Sequence, residues 1–150
     1  MKKVILFLVC LLLLIGCSYE TAKTSKQNWE ESATFVRKSG FVFRIGDNGR
    51  FGFGEYGPFI AGETQKYMWH FWGDADTLTK PFKVIGVSKE TSEKITVLQK
   101  QNNMNTLAPN NGADHHLPSY MELPNPGLWK LEVYFGDELF GNIIVNVIEK

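Results

Sequence analysis

The sequence predicts an all-β fold built as an antiparallel β-sandwich, on three observations. Apolar residues from residue 34 onward recur with a period of two, so that alternate side chains share a face. Gly, Pro, Asn and Asp clusters interrupt these runs at short intervals, as turns between short strands do. Beyond the first sixteen residues no stretch carries a sustained 3.6-residue apolar period. Short strands of even spacing separated by Gly/Pro turns are the signature of a sandwich.

The elements follow in order. Phe41-Val42-Phe43-Arg44-Ile45 sets Phe41, Phe43 and Ile45 on one face and Val42 and Arg44 on the other. Asp47-Asn48-Gly49 suits a tight hairpin because Asn and Gly tolerate positive φ. Residues 50–53 are the expected return strand, ended by Gly57-Pro58. Residues 66–73 form the most aromatic strand, with Tyr67, Trp69 and Phe71 on one face and Met68, His70 and Trp72 on the other. Large side chains on both faces predict an internal strand, buried on one side and half covered on the other. Residues 81–87 and 94–98 are two more strands, joined by the polar stretch 88–93.

Residues 101–112 are Asn-rich and read as a loop. Residues 114–123 are ambiguous, and Pro118 and Pro124 keep them out of a helix interior or a sheet centre. After the turn Pro124-Asn125-Pro126-Gly127 the pattern is clearest. Trp129, Leu131, Val133 and Phe135 alternate with Lys130, Glu132 and Tyr134. Gly136-Asp137 fits a two-residue hairpin, and the return strand carries Ile143, Val145 and Val147 inward.

The N-terminus is a separate unit. Met1-Lys2-Lys3, an apolar run over residues 4–15, and small residues at its end have the form of a secretory signal. The run is shorter than the roughly 20 residues that a membrane span requires. Leu14-Ile15-Gly16-Cys17 resembles the lipobox of bacterial lipoproteins. That resemblance implies cleavage before Cys17 and a diacylglyceryl group on its thiol. Cys17 is therefore the expected lipidation site, and the partner it implies is the membrane on its extracytoplasmic side. The expected organisation is a signal peptide over 1–16, a polar tether over 17–32 and a sandwich domain over 33–150. Trp29 is the apolar misfit in the tether and is expected to dock on the domain.

Sixteen basic residues balance sixteen acidic ones, and loss of Lys2 and Lys3 leaves the mature chain slightly acidic. That charge excludes a nucleic-acid footprint. Both cysteines, Cys10 and Cys17, lie in the signal or at the lipid site, so the domain has no disulfide and no thiol chemistry. Its stability must come from apolar burial, and the four tryptophans and eleven phenylalanines of the full sequence, one Phe of which is lost with the signal, are the supply.

Candidate chemistry is sparse. Gly52-Phe53-Gly54-Glu55-Tyr56-Gly57 matches G-x-G-x-x-G, but Pro58 and Gly62 follow where a dinucleotide site needs a helix. Asp114-His115-His116 is the one histidine cluster and is the candidate for zinc or copper, although neighbours on a strand face opposite ways. His70 is expected to make a buried hydrogen bond. Asp74 and Asp76 open like a calcium loop, but Thr79 and Ile85 stand where Gly and Glu are required. No G-x-S-x-G occurs. The expectation is a non-enzyme without cofactor. Among the aromatics near these glycines, Phe51 and Phe53 are expected in the core, and Tyr56 and Phe59 on a partner surface beside the Gly57-Pro58 break.

Several motifs together resemble an uncharacterised family of small lipoproteins of Gram-positive spore-forming bacteria. They are Lys66-Tyr67-Met68-Trp69-His70-Phe71-Trp72-Gly73, Val84-Ile85-Gly86-Val87 with the following Lys89-Glu90-Thr91, Gly112-Ala113-Asp114 leading to Leu117-Pro118-Ser119, and Pro126-Gly127-Leu128-Trp129-Lys130-Leu131. The resemblance covers most of residues 40–148. It implies an immunoglobulin-like sandwich and no catalytic residue. The cysteine pair of antibody-type domains is absent. The expected function is a membrane-anchored extracytoplasmic binding or envelope-assembly module, with an envelope protein or glycan as partner. The alternatives are a metal or small-ligand binding lipoprotein using Asp114, His115 and His116, and an enzyme whose site is assembled across loops.

Overall fold

A computed structural model describes residues 28–36, 40–100 and 106–150. The signal peptide, Cys17 and most of the tether lie outside the described residues. Two five-stranded sheets pack face to face. The first has the order β1 (Thr34–Val36), β2 (Val42–Ile45), β3 (Phe51–Glu55), β5 (Gln65–Phe71), β8 (His115–Met121). The second has the order β4 (Phe59–Ile60), β10 (Glu138–Ile148), β9 (Gly127–Phe135), β6 (Phe82–Ser88), β7 (Lys94–Lys100). All pairings are antiparallel except β4 with β10. The protein is thus an all-β sandwich, as the alternation predicts.

The turns form where their residues allow them. Gly49 and Gly136 take φ of 69° and 62° at the β2–β3 and β9–β10 hairpins, a region open to glycine. Pro118 sits on β8, which ends the first sheet, so its missing N–H falls on a free edge. That resolves the ambiguous 114–123 stretch as an edge strand. A short helix, α1 (Ala75–Leu78), joins β5 to β6. Asp74 caps it, accepting from the Thr77 N–H at 2.8 Å. The start of the apparent calcium loop is therefore a helix cap. Among the described residues no helix is long and apolar enough to cross a membrane.

The core is aromatic. Tyr67, Trp69 and Phe71 of β5 and Phe51 and Phe53 of β3 face Trp129, Leu131, Val133 and Phe135 of β9, all of them buried. The Trp69 ring lies edge-on to Phe53 at 4.7 Å and to Phe82 at 5.5 Å. Its indole N–H donates to the Ser119 hydroxyl at 2.9 Å, so the buried polar end is satisfied. A register shift between Leu139 and Gly141 leaves Phe140 unpaired on β10. This bulge turns Phe140 onto Phe51 and Phe135, with ring centroids at 5.6 and 5.3 Å.

Alternation on β2 is as expected, but its apolar face is the one turned away from the second sheet. Arg44 pairs with Phe53 and shares its inward side, whereas Phe43 pairs with Gly54 on the outward side. The Arg44 guanidinium is buried and ion-paired with Glu55. It also donates to the Ser32 carbonyl at 2.7 Å. Ser32 in turn bonds both backbone groups of Ile144 on β10, through its N–H at 2.9 Å and its hydroxyl at 2.8 Å. Residue 32, expected in the tether, is therefore part of the domain. It is held there because the β10 edge beyond the short β4 needs partners. Trp29 is half-buried.

Candidate ligand-binding site

The outward face of the first sheet carries a groove of about 450 Å³. Its floor begins with two glycines. Gly52 and Gly54 alternate with the core residues Phe51 and Phe53 on β3, so both glycines face outward. A β-carbon on Gly54 would collide with the Phe41 ring, and one on Gly52 with the Phe43 ring. The two rings lie down on bare backbone. The G-x-G of the sequence is a landing site for aromatic side chains in mid-strand, and no phosphate loop.

Two aromatic walls rise from this floor. Phe41 meets Tyr56 edge-on at 5.6 Å. Phe43 meets His70 and Trp72 edge-on at 5.6 and 6.4 Å. Met68 lies between them on β5, and Asn110 and Asn111 close the far rim. Beyond Met68 a second depression runs past Gly57, Pro58, Gln65 and Lys66 and shares Tyr56 and Met68 with the first. Tyr56 is 68% exposed, and Phe43 and His70 are buried.

The Asn rim is held by a dense set of bonds. Asn110 and Ala113 exchange backbone hydrogen bonds at 3.2 and 2.9 Å across Asn111-Gly112. Both central residues have positive φ, 51° and 83°, which an Asn-Gly pair accommodates. The Gly112 carbonyl accepts the Trp72 indole N–H at 2.7 Å, tying the rim to the wall. Asp114 accepts the Gly73 N–H at 2.9 Å.

The histidine cluster serves the same loop. His115 points inward and is fully buried; its Nδ1 accepts the Ala108 N–H at 2.9 Å. Its Nε2 therefore carries the proton and has no hydrogen-bond partner among the described residues. Burial, then the neighbouring His116, lowers the pKa of His115 below the usual imidazole value. His116 points outward opposite His70, and its Nδ1 lies 2.7 Å from the Ala108 carbonyl, which also accepts the His116 N–H at 3.0 Å. The candidate metal set is thus split. Asp114 holds a backbone amide, His115 lies in the core and His116 on the outer face. Among the described residues no group of three or more His, Cys, Asp or Glu is placed to hold a metal ion.

Of the expected partner surface, Tyr56 stands at the groove but Phe59 does not. Phe59 is buried, stacked on Tyr67 at 5.0 Å and edge-on to Phe53 at 6.0 Å. The reason is β4, which crosses to the second sheet and pairs with β10, carrying Phe59 into the interior. Sequence reasoning missed Phe41, Phe43, Trp72, Asn110 and Asn111 as site residues. The available signal was glycine at every second position of a strand next to Phe at every second position of its neighbour.

A family model described as Domain of unknown function (DUF4871) matches residues 18–145, beginning directly after Cys17. No curated protein matches the chain. The X-ray crystal structure of a candidate lipoprotein from Bacillus anthracis is similar in fold. It has a TM-score of 0.59 and 23% identity, over 81% of this chain and 87% of that one. With the family match running through the sandwich and the groove alike, the chain belongs to the DUF4871 family, an uncharacterised one.

Proposed function

We propose that the mature chain is a lipid-anchored, extracytoplasmic binding module without catalytic activity, and that the outer groove is its binding site. The observation that carries this reading is the groove itself. Phe41 and Phe43 are placed outward on glycine backbone, although a sandwich core could have taken them. Large apolar side chains turned to a concave outer face, beside an exposed Tyr56, are what a recognition surface needs. The anchor rests on Leu14-Ile15-Gly16-Cys17, and the similar Bacillus anthracis candidate lipoprotein accords with it. Covalent geometry lets the stretch from Cys17 to Asn28 span at most about 40 Å. The partner then lies close to the extracytoplasmic face of the membrane.

Strand order supports an immunoglobulin-like description of the sandwich. β5 and β8 oppose β10-β9-β6-β7, as strands B and E oppose G, F, C and C′ in variable-type domains. Here β1, β2 and β3 are added beside β5; β2 carries Phe43 into the groove, and Phe41 and Tyr56 flank β2 and β3.

The test is a photo-crosslinking residue at position 56 in the full chain, in intact cells. A discrete adduct is expected at position 56 and none from the same residue at position 120, which is equally exposed on the same sheet but off the groove. Absence of any position-56 adduct overturns the binding role.

A further inference from the structure

We infer that the groove takes a neutral oligosaccharide, a segment of a linear envelope glycan; this rests on the binding-module reading above. Four observations point to that chemistry. First, among the described residues the lining of the main groove carries no carboxylate, lysine or arginine; the one charged side chain beside it, Lys66, stands in the adjoining depression. In the main groove a phosphate, nucleotide or carboxylate ligand would meet no lysine or arginine among the described residues, and a metal no group of three or more ligating side chains. The uncharged aromatic and amide lining of the main groove suits an uncharged occupant.

Second, the walls are aromatic and the rim is amide. Sugar rings have one face of C–H bonds and a periphery of hydroxyls or acetamido groups. The C–H face packs on rings such as Tyr56 and Trp72, while the Asn110 and Asn111 amides each offer donors and an acceptor to the periphery. Third, the rim is pre-organised. The Asn111-Gly112 turn is locked to the Trp72 indole through the Gly112 carbonyl at 2.7 Å, so little ordering is needed when a ligand arrives.

Fourth, the floor excludes the commonest way of holding a peptide. The groove lies over β3 and β5, both internal to the sheet, and their backbone groups are committed to the neighbouring strands. An extended peptide finds no strand edge to join. The floor offers side-chain surface only. The groove also continues past Met68 into the depression lined by Gly57, Pro58, Gln65 and Lys66, so a chain longer than one ring lies along it, with the Lys66 ammonium available to a sugar hydroxyl at the far end.

The experiment uses the full lipidated chain in detergent, titrated with two tetramers, one of N-acetylglucosamine and one of glucose (cellotetraose). Tryptophan emission and calorimetry are the readouts, since Trp72 stands in the wall. Saturable binding in the micromolar-to-millimolar range is expected for at least one tetramer. The pair of probes distinguishes an acetamido-bearing glycan from a plain one. Tyr56→Ala should weaken binding by about tenfold at unchanged melting temperature. Tyr120→Ala should leave it unchanged.

Saturation by neither tetramer, or binding that is indifferent to both Tyr56→Ala and Asn110→Ala, overturns the inference. If neither sugar binds but position 56 still crosslinks to a protein in cells, the glycan assignment falls and the binding module stands. If no crosslink forms either, both fall.

Discussion

The ring of Phe41 rests directly on the Cα of Gly54, where any β-carbon would collide with it. The same relation holds between Phe43 and Gly52. Gly54→Ala should therefore displace the Phe41 wall and cost about 1–3 kcal/mol, the usual range for overpacking. Urea denaturation of the two proteins measures it. A variant as stable as the parent would show that Phe41 is not seated on Gly54.

Trp129→Ala should destabilise by about 3–5 kcal/mol. Trp129 has no exposed surface and lies in the core against Gly86, with its indole N–H given to the Asn125 carbonyl at 2.9 Å. Removing it opens a large cavity and orphans that carbonyl. A loss under about 1 kcal/mol would contradict its place in the core.

The aromatics around the glycine-rich hairpin should divide three against one. Phe51, Phe53 and Phe59 are buried, and each change to Ala should cost about 3–5 kcal/mol. Tyr56 is exposed, and Tyr56→Ala should cost about 0.5 kcal/mol or less. Chemical denaturation of the four variants decides the matter; a large loss for Tyr56 would place it in the fold and not in recognition.

Acid should weaken the fold through His115. Its folded pKa lies below the imidazole value, so the unfolded chain binds the proton more readily. The stability is fully present above about pH 6.5, the unfolded value. It is lost progressively as pH falls from there toward the lowered folded pKa. Asp74 is lowered by the Thr77 hydrogen bonds. Glu132 is raised by burial but lowered on balance by Lys130 and Lys94. Both carboxylates act only at more acid pH, in the carboxylate range near 4. His115→Leu should lower stability overall, through the orphaned Ala108 N–H, and flatten the slope that sets in below about pH 6.5. An unchanged slope would assign the acid sensitivity elsewhere.

Cys17→Ala should release the protein from membranes or leave it uncleaved. Fractionation of cells making each version, read by immunoblot, tests this. Equal membrane retention with normal processing would remove the lipid anchor from the proposal.

Strand positions, hairpins and most of the core were legible because each depends on neighbours in sequence. Period-two alternation placed Trp129, Leu131, Val133 and Phe135 on one face before any partner strand was known, and that face is buried. Asp47-Asn48-Gly49 and Gly136-Asp137 turn because Gly49 and Gly136 tolerate the φ they need. Residues 114–123 stayed ambiguous, because Pro118 bars a helix interior or a sheet centre but does not by itself make a strand; pairing with β5 made 115–121 the edge strand.

Alternation by itself separates two faces and does not say which one meets the second sheet. For β2 the more apolar face, Phe41 and Phe43, proved to be the outer one, because β3 beside it presents glycines there and phenylalanines inward. Phe59 looked exposed beside a Gly-Pro break and is buried, because β4 crosses to pair with β10, far away in sequence. Asp114, His115 and His116 looked like one cluster, and the strand pleat sends the two histidines apart while both secure the same Ala108 loop. The local pattern of the chain thus determined the strands, the turns and the β-sandwich class. Only the tertiary structure decided which aromatics became core and which became groove, since that choice depends on the side chains that pairing brings opposite each strand.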